Sequence, residues 1–215
     1  MKTVIFANGE LGGPSMAKKL SSQAELIIAA DGGISHCAHL DVQPHVLLGD
    51  LDSAQEHLVK KAVADGVSLE RHPRDKDKTD LELALDLACR RGASTVALFG
   101  ALGGRWDMSL ANLLLPATET YATMRITLYD DQTRIDLLRD NDHLDLNGPV
   151  GSRISLLPLN GQVEGVTLTG FQYPLTNQTL TFASTRGISN ILVAERGYIG
   201  VKKGLLLTVL TNPEK

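Results

Sequence analysis

HVLLGDLDSAQE, residues 45–56, is a short apolar run closed by Gly-Asp, with a second carboxylate two residues on and a helix start behind it. The run has no polar alternation, which suits a strand buried on both faces of a parallel sheet. The same rhythm recurs in TVIFANG (3–9), ELIIAADGG (25–33), GVSLERHP (66–73) and STVALFGALGG (94–104). Between these runs lie helical patterns at roughly 14–21, 33–40, 53–65, 80–91 and 108–121. Strands alternating with helices predict a doubly wound, mostly parallel α/β sheet.

The helix starts carry their own signals. Ser53-Ala54-Gln55-Glu56 and Thr79-Asp80-Leu81-Glu82 both match the S/T-x-x-E capping box, and Gly13-Pro14 puts proline at a first helical position. After Thr79, apolar residues at 81, 84, 85 and 88 form a stripe for burial, with Glu82, Asp86 and Arg90 on the wet face.

From about residue 124 the period becomes two. RITLYDD, TRIDLL, DHLDLNG, SRISLLPL, VEGVTLTG, TLTFAS, SNILVAERGYIGV and GLLLTVLT are separated by Asn, Gly and Pro turns, with no helical stretch among them. The reading is an α/β domain over 1–124 followed by an antiparallel β-sandwich domain over 125–215.

Composition narrows the partners. The 215 residues are 43% hydrophobic and 21% charged, enough for a buried core, with aromatics at only 4%. A net charge of −4, with the basic stretches ACRRG and RHPRDKDK set among acids, argues against nucleic acid. The two cysteines, Cys37 and Cys89, lack CxxC spacing, so a reduced, cytoplasmic protein is expected. MKTVIFANGE reads as a strand, not a signal peptide, and no apolar run reaches membrane length. In that setting the sequon at Asn177 is a chance match.

With the elements placed, the acids sort themselves. Asp31, Asp50 and Asp52, the Asp75, Asp77 and Asp80 of RDKDKTD, and Asp107 all follow predicted parallel strands, on the edge where open α/β sheets bind ligands. Any one of them is explained as a turn or cap residue. Several on one rim repel each other unless cations compensate, and Asp without His or Cys suits Mg²⁺ bound together with substrate phosphates. Asn8-Gly9, Gly12-Gly13, Gly32-Gly33, Gly100 and Gly103-Gly104 supply backbone N–H groups at the same edge, although no Walker GxxxxGK[ST] or GxGxxG pattern is present. Arg105 reads as a phosphate clamp or a surface ion pair. His36-x-x-His39 has ligand spacing but no third ligand, Trp106 reads as core with ring stacking as the alternative, and no GxSxG elbow occurs.

Taken together, ANG (7–9), AADGG (29–33), GDLDS (49–53), DKDKTDLELAL (75–85), GALGGRWDMSLAN (100–112) and GISN (187–190) resemble the thiamine pyrophosphokinase (thiamine diphosphokinase) family in order and spacing. The resemblance implies transfer of the terminal pyrophosphoryl unit of ATP to the hydroxyl of thiamine, with release of AMP. It implies a homodimer with sites completed across the subunit interface, and Mg²⁺ as cofactor. Residue by residue, it implies that Asp50, Asp52 and Asp80 bind Mg²⁺ and the triphosphate. Asn8, Gly9, Asp31, Gly32, Lys76, Asp77, Thr79, Gly103, Gly104, Arg105 and Asp107 would contact or position ATP. Ser189 and Asn190 would lie at the thiamine pocket. Met108 stands where family members usually carry histidine, so the resemblance carries neither a nucleotide-contact nor a proton-transfer role to that position.

The chemistry fits an acidic rim. Attack on the β-phosphorus spreads charge over several oxygens, so catalysis is mainly positioning and cation stabilisation. Asp52, Asp80 and Asp107 remain as candidates to accept the hydroxyl proton, and the thiazolium charge of thiamine would be drawn to carboxylates. Three rivals stand beside this reading. One is a metal-dependent phosphohydrolase built on the DxDS at 50–53, whose motif in haloacid dehalogenase-like enzymes ends the first strand. A sugar-nucleotide transferase using DLD as its DxD is the second, and a non-catalytic nucleotide- or thiamine-binding module is the third.

Overall fold

The apolar runs of the first half form β1 (Lys2–Phe6), β2 (Leu26–Ala30), β3 (Val46–Gly49), β4 (Ser68–Arg71) and β5 (Thr95–Phe99). In the computed structural model, which describes residues 1–213, a sixth strand, β6 (Arg125–Asp130), extends this sheet. The order is β4-β3-β2-β1-β5-β6, all parallel. β1, β2, β3 and β4 step outward in one direction, then β5 returns to the other side of β1. The strand order therefore reverses between β1 and β5, and the carboxyl ends there form the crevice where such sheets hold ligands. β2 and β3 are buried along their whole length, whereas β4, at the edge, is only half covered.

The helices are α1 (Pro14–Ser21), α2 (Ile34–Leu40), α3 (Glu56–Ala64), α4 (Asp80–Arg90) and α5 (Trp106–Leu114), the last followed by 3₁₀ turns at Leu115–Ala117 and Glu119–Tyr121. α4 follows its sequence signal closely. The Thr79 hydroxyl caps it by accepting the Glu82 N–H at 3.2 Å, and Leu81, Ala84, Leu85, Leu87 and Ala88 are buried. The capping box expected at Ser53 does not form: α3 starts at Glu56 after Gln55, and the Ser53 N–H is instead held by Asp31. α5 begins two residues before the expected 108 and gives way at Leu115, because Pro116 has no N–H to continue an α-helical ladder.

RITLYDD was expected among the antiparallel strands, and β6 corrects that. It pairs parallel with β5, from Thr95↔Arg125 to Leu98↔Leu128. The alternation that suggested a half-exposed strand comes from Thr127, which is itself buried between buried Ile126 and Leu128. One compact unit accordingly covers Met1–Asp131 and the other begins at Gln132. The last two positions of the expected 125–215 domain lie outside the described residues.

The second unit is antiparallel, with strands β7 (Thr133–Leu138), β8 (His143–Asn147), β9 (Arg153–Pro158), β10 (Gln162–Thr169), β11 (Leu175–Thr181), β12 (Asn190–Ile191), β13 (Arg196–Gly200) and β14 (Leu206–Thr211). Hydrogen bonding runs β12-β9-β14-β7 in one layer and β11-β10-β13-β8 in the other. Period-two burial, clearest in HLDLN of β8, sends Leu144 and Leu146 into a core shared with Ile154, Val163, Ile199 and Leu206 from both layers. Both cysteines are free thiols. Among the described residues, no helix is long and apolar enough to cross a membrane.

Candidate active site

The crevice at the strand ends is a cavity of about 690 Å³, lined from the loops after β1, β2, β3, β4 and β5 and from the start of α5. Its floor is two loops hydrogen-bonded to each other. The Ala7 N–H donates to Phe99 O, Gly9 N–H to Gly100 O at 2.7 Å, and Glu10 N–H to Leu102 O at 2.9 Å. The His36 ring nitrogen bonds Gly9 O at 2.8 Å, so this histidine anchors a loop and half of the sequence's His-x-x-His pair is accounted for structurally. Gly100 turns with φ +66, where an added Cβ would collide with the Ala7 carbonyl, and a Cβ on Gly32 would collide with the Asn8 amide. These glycines exist because the loops must touch.

Three carboxylates converge over that floor. Asp31, Asp50 and Asp80 each place an oxygen within 4.8 Å of the others. Asp31 is buried, with a left-handed backbone (φ 48), and its Oδ1 accepts the Ser53 N–H at 3.3 Å, which ties the loop after β3 to the loop after β2. Asp50 Oδ1 accepts the Asp52 N–H at 3.1 Å, so Asp50 is a turn residue and a member of the cluster at once. Leu51, between them, sits at φ 66, a costly conformation for a branched side chain that is characteristic of functional loops. Asp52 stands apart from the cluster, its side chain 56% exposed and paired with Arg74 at 3.3 Å.

Lys76 reaches into this group, with Nζ 3.1 Å from Asp80 Oδ1 and 3.7 Å from Asp50 Oδ2. Asp80 Oδ1 is buried and makes no hydrogen bond of good geometry. A crowded, all-oxygen donor set with such an atom fits a hard divalent cation, and the cluster could coordinate one.

The loop RDKDK (74–78) alternates cation and anion along a bent segment between β4 and α4. Arg74, Lys76 and Lys78 line the cavity, whereas Asp75 and Asp77 are exposed and do not. Lys78 bonds Asp86 at 2.6 Å and Glu82 at 3.3 Å, and the hydrogen bond to Asp86 is the main reason its ammonium is held above the ordinary lysine range. The buried Tyr121 donates to Asp86 Oδ1 at 2.9 Å; burial, then Asp86, pushes its phenol pKa up. Asp86, read as a wet-face residue, is thus the pivot between the cationic loop and the 3₁₀ turn.

Asn8, Gly9, Thr79, Gly103, Gly104 and Arg105 also line the cavity, while Gly32 packs against the Asn8 amide. Arg105 is chelated by Asp107 through Nε and Nη2, and that hydrogen bond first, with the nearby charge, holds the Asp107 carboxyl below the usual range. Asp107 is exposed in the first turn of α5, off the lining. Met108 lines the cavity. Trp106 is 86% exposed, correcting the expectation of a core tryptophan.

Several supporting residues escaped the sequence reading. Ser109 and Asn112 grip the loop after β5: the Ser109 hydroxyl accepts from Gly103 N–H at 3.2 Å and lies 3.1 Å from Gly103 O, and Asn112 Nδ2 donates to Ala101 O at 2.6 Å. Their i,i+3 spacing on one helix face was the available signal. Arg74 and Lys78 were visible only as members of a mixed-charge run. In the second unit, Ser189 has φ 59 and its N–H donates to Ser155 Oγ. Asn190 clamps Tyr173, accepting from its N–H at 3.0 Å and donating to its carbonyl at 2.7 Å, which leaves Tyr173 63% exposed.

Comparison with known proteins gives a consistent answer. Residues 17–128 match the family described as thiamin pyrophosphokinase, catalytic domain, and residues 134–206 match thiamin pyrophosphokinase, vitamin B1 binding domain. A thiamine pyrophosphokinase of Bacillus subtilis (strain 168) is 32% identical over 213 residues, spanning 97% of this chain and 98% of its own. The crystal structure of thiamine pyrophosphokinase from Bacillus subtilis covers 100% of both chains with a TM-score of 0.86 at 29% identity. That from Geobacillus thermodenitrificans gives 0.83 at 29% identity, covering 100% of this chain and 99% of its own.

Proposed function

Because the chain belongs to the thiamine pyrophosphokinase family, we propose that it transfers the pyrophosphoryl group of ATP to the hydroxyl of thiamine, yielding thiamine diphosphate and AMP. The observation that carries this reading is the convergence of Asp31, Asp50 and Asp80 on a cavity walled by glycine loops and by Arg74, Lys76, Lys78 and Arg105. Acids for a cation beside backbone N–H groups and basic side chains for phosphates are what a triphosphate needs.

Asp50 and Asp80, with Asp31, are the residues to hold Mg²⁺; Asp52 joins them if it releases Arg74. A bound divalent ion would neutralise phosphate charge there and polarise the bond to the transferred group. Around it, the Asn8 amide and the Gly104 backbone face the nucleotide, Gly9 and Gly103 lock the two loops through Gly100 O and Ser109 Oγ, Gly32 gives Asn8 room, and Thr79 fixes the helix that carries Asp80. Arg105 and the loop cations orient the triphosphate for in-line attack. Asp107, committed to Arg105 and held well ionised, is a weak acceptor for the hydroxyl proton, which favours Asp52 or Asp80 in that role. Asp77, exposed beside Lys76, adds to the negative field that draws in the thiazolium cation. Ser189 and Asn190 belong to the thiamine pocket, Asn190 by pinning Tyr173.

The working form is a homodimer whose sites are completed by the partner subunit. The apolar stripe Trp106, Leu110 and Leu114, spaced one turn apart on α5 and 86%, 58% and 44% exposed, supports a self-association face. The setting is the cytoplasm, with no nucleic-acid or membrane partner, in keeping with a net charge of −4.

The test is a Mg²⁺-dependent assay with ATP and thiamine that separates AMP from ADP and detects thiamine diphosphate, run beside Asp50→Asn and Asp52→Asn. Equal AMP and thiamine diphosphate, lost in Asp50→Asn, is the expected result. Inorganic phosphate without AMP would instead favour a phosphohydrolase. That rival is already disfavoured by position, since GDLDS follows the third strand of the sheet and not the first.

A further inference from the structure

We propose that Lys76 is the resident counter-ion of the acid cluster, holding Asp50 and Asp80 together before metal arrives and yielding that place when a divalent cation enters. The inference rests on the metal-binding reading above. Of the three cations on the loop after β4, only this one is largely buried: the Lys76 side chain is 13% exposed, against 85% for Arg74 and 44% for Lys78. Its ammonium lies 3.1 Å from Asp80 Oδ1 and 3.7 Å from Asp50 Oδ2, facing the buried oxygen that has no hydrogen bond. Carboxylates this close repel one another, and a single ammonium compensates them only in part. Its position is therefore the one a divalent ion would compete for.

The loop is built to let the side chain leave without unravelling. Arg74 on one side is tied to Asp52, and Lys78 on the other is tied to Asp86 and Glu82. Lys76 can swing on its flexible stem while Lys78 stays tied to Asp86 and Glu82, and an ammonium released from carboxylates is a ready partner for phosphate oxygens in the same cavity. One side chain then serves as counter-ion in the metal-free protein and as phosphate ligand in the loaded one.

The measurement is Mn²⁺ binding by the folded protein without nucleotide or thiamine, followed by calorimetry and by the loss of the free-Mn²⁺ electron paramagnetic resonance signal. Lys76→Met removes the competing charge and should tighten Mn²⁺ by about tenfold or more, the scale on which neighbours of metal ligands act. Lys76→Arg should stay near wild type. Lys78→Met, with the same charge change on the same loop, should move affinity by no more than about twofold, because its partners lie outside the cluster. Melting in chelator should fall for Lys76→Met and recover more with Mn²⁺ than wild type does; Lys76→Gln repeats the test if the methionine variant folds poorly. Unchanged or weaker Mn²⁺ binding in Lys76→Met, equal gains in Lys76→Met and Lys78→Met, or no binding by any variant would overturn the proposal. AMP formation by the unaltered protein is read separately, so failure of the catalytic reading would show in a different experiment.

Discussion

Asn112→Ala tests whether α5 holds the phosphate-facing loop in place. The Asn112 side chain is buried, and its Nδ2 donates to the Ala101 carbonyl at 2.6 Å. Alanine deletes the donor and leaves that carbonyl unpaired. A buried group left this way costs about 1–3 kcal/mol. Ala101 lines the cavity, so water can partly replace the amide, which places the loss at about 1–2 kcal/mol. For a chain of this size each kcal/mol shifts the melting midpoint by about 2–4 °C, so Tm should fall by about 2–8 °C. Urea unfolding should show a lower midpoint with an unchanged slope, since the exposed surface is the same. Because the loop from Gly100 to Arg105 should position the nucleotide, KM for ATP should rise while KM for thiamine moves less. Asn112→Asp, nearly isosteric but with an acceptor facing an acceptor, should do at least as much damage. Ser109→Ala, which removes two weaker contacts to Gly103, should do less. A variant lacking the Asn112 amide with wild-type midpoint and wild-type KM for ATP would show that the loop holds itself.

Gly100→Ala should destabilise the protein by more than the roughly 1–2 kcal/mol of a left-handed alanine, since the new methyl also meets the Ala7 carbonyl; a melting midpoint within a degree of wild type would contradict this. Arg105→Ala should raise the Asp107 pKa toward the ordinary carboxylate value, measurable by carboxyl carbon NMR. The native pKa is depressed, so the pair's small stabilisation is present above the unfolded value of about 3.9 and is lost as pH falls through the native one. Wild type and Arg105→Ala should therefore converge in stability in acid, and a gap that persists there would assign the difference to packing. Cys37, fully buried with its thiol pushed up to about 12, should resist iodoacetamide at pH 8 until the chain unfolds, while the partly exposed Cys89 reacts first; native-state labelling of Cys37 seen by mass spectrometry would mean that the core around α2 opens.

The amino-acid pattern alone set the strand-helix alternation, because apolar runs too short for a helix and too continuous for a half-exposed strand have one good home, the inside of a parallel sheet. It likewise determined that the acids lie on one rim, since every strand of a parallel sheet ends on the same edge. Thr79 was legible as a cap because the hydroxyl and the N–H it accepts are three residues apart. Which acids meet depended on the folded chain. Asp50 and Asp52 look equivalent two residues apart, yet the left-handed turn at Leu51 leaves one in the cluster and the other at the surface, while Asp31 completes the set from 19 residues upstream. It also decided that RITLYD runs parallel, because Thr127 reads as polar in a pattern yet is buried between Ile126 and Leu128. Asp86 and Lys76 were settled the same way, by partners on other elements, since where a charged side chain finds its counter-charge depends on the fold bringing distant loops together.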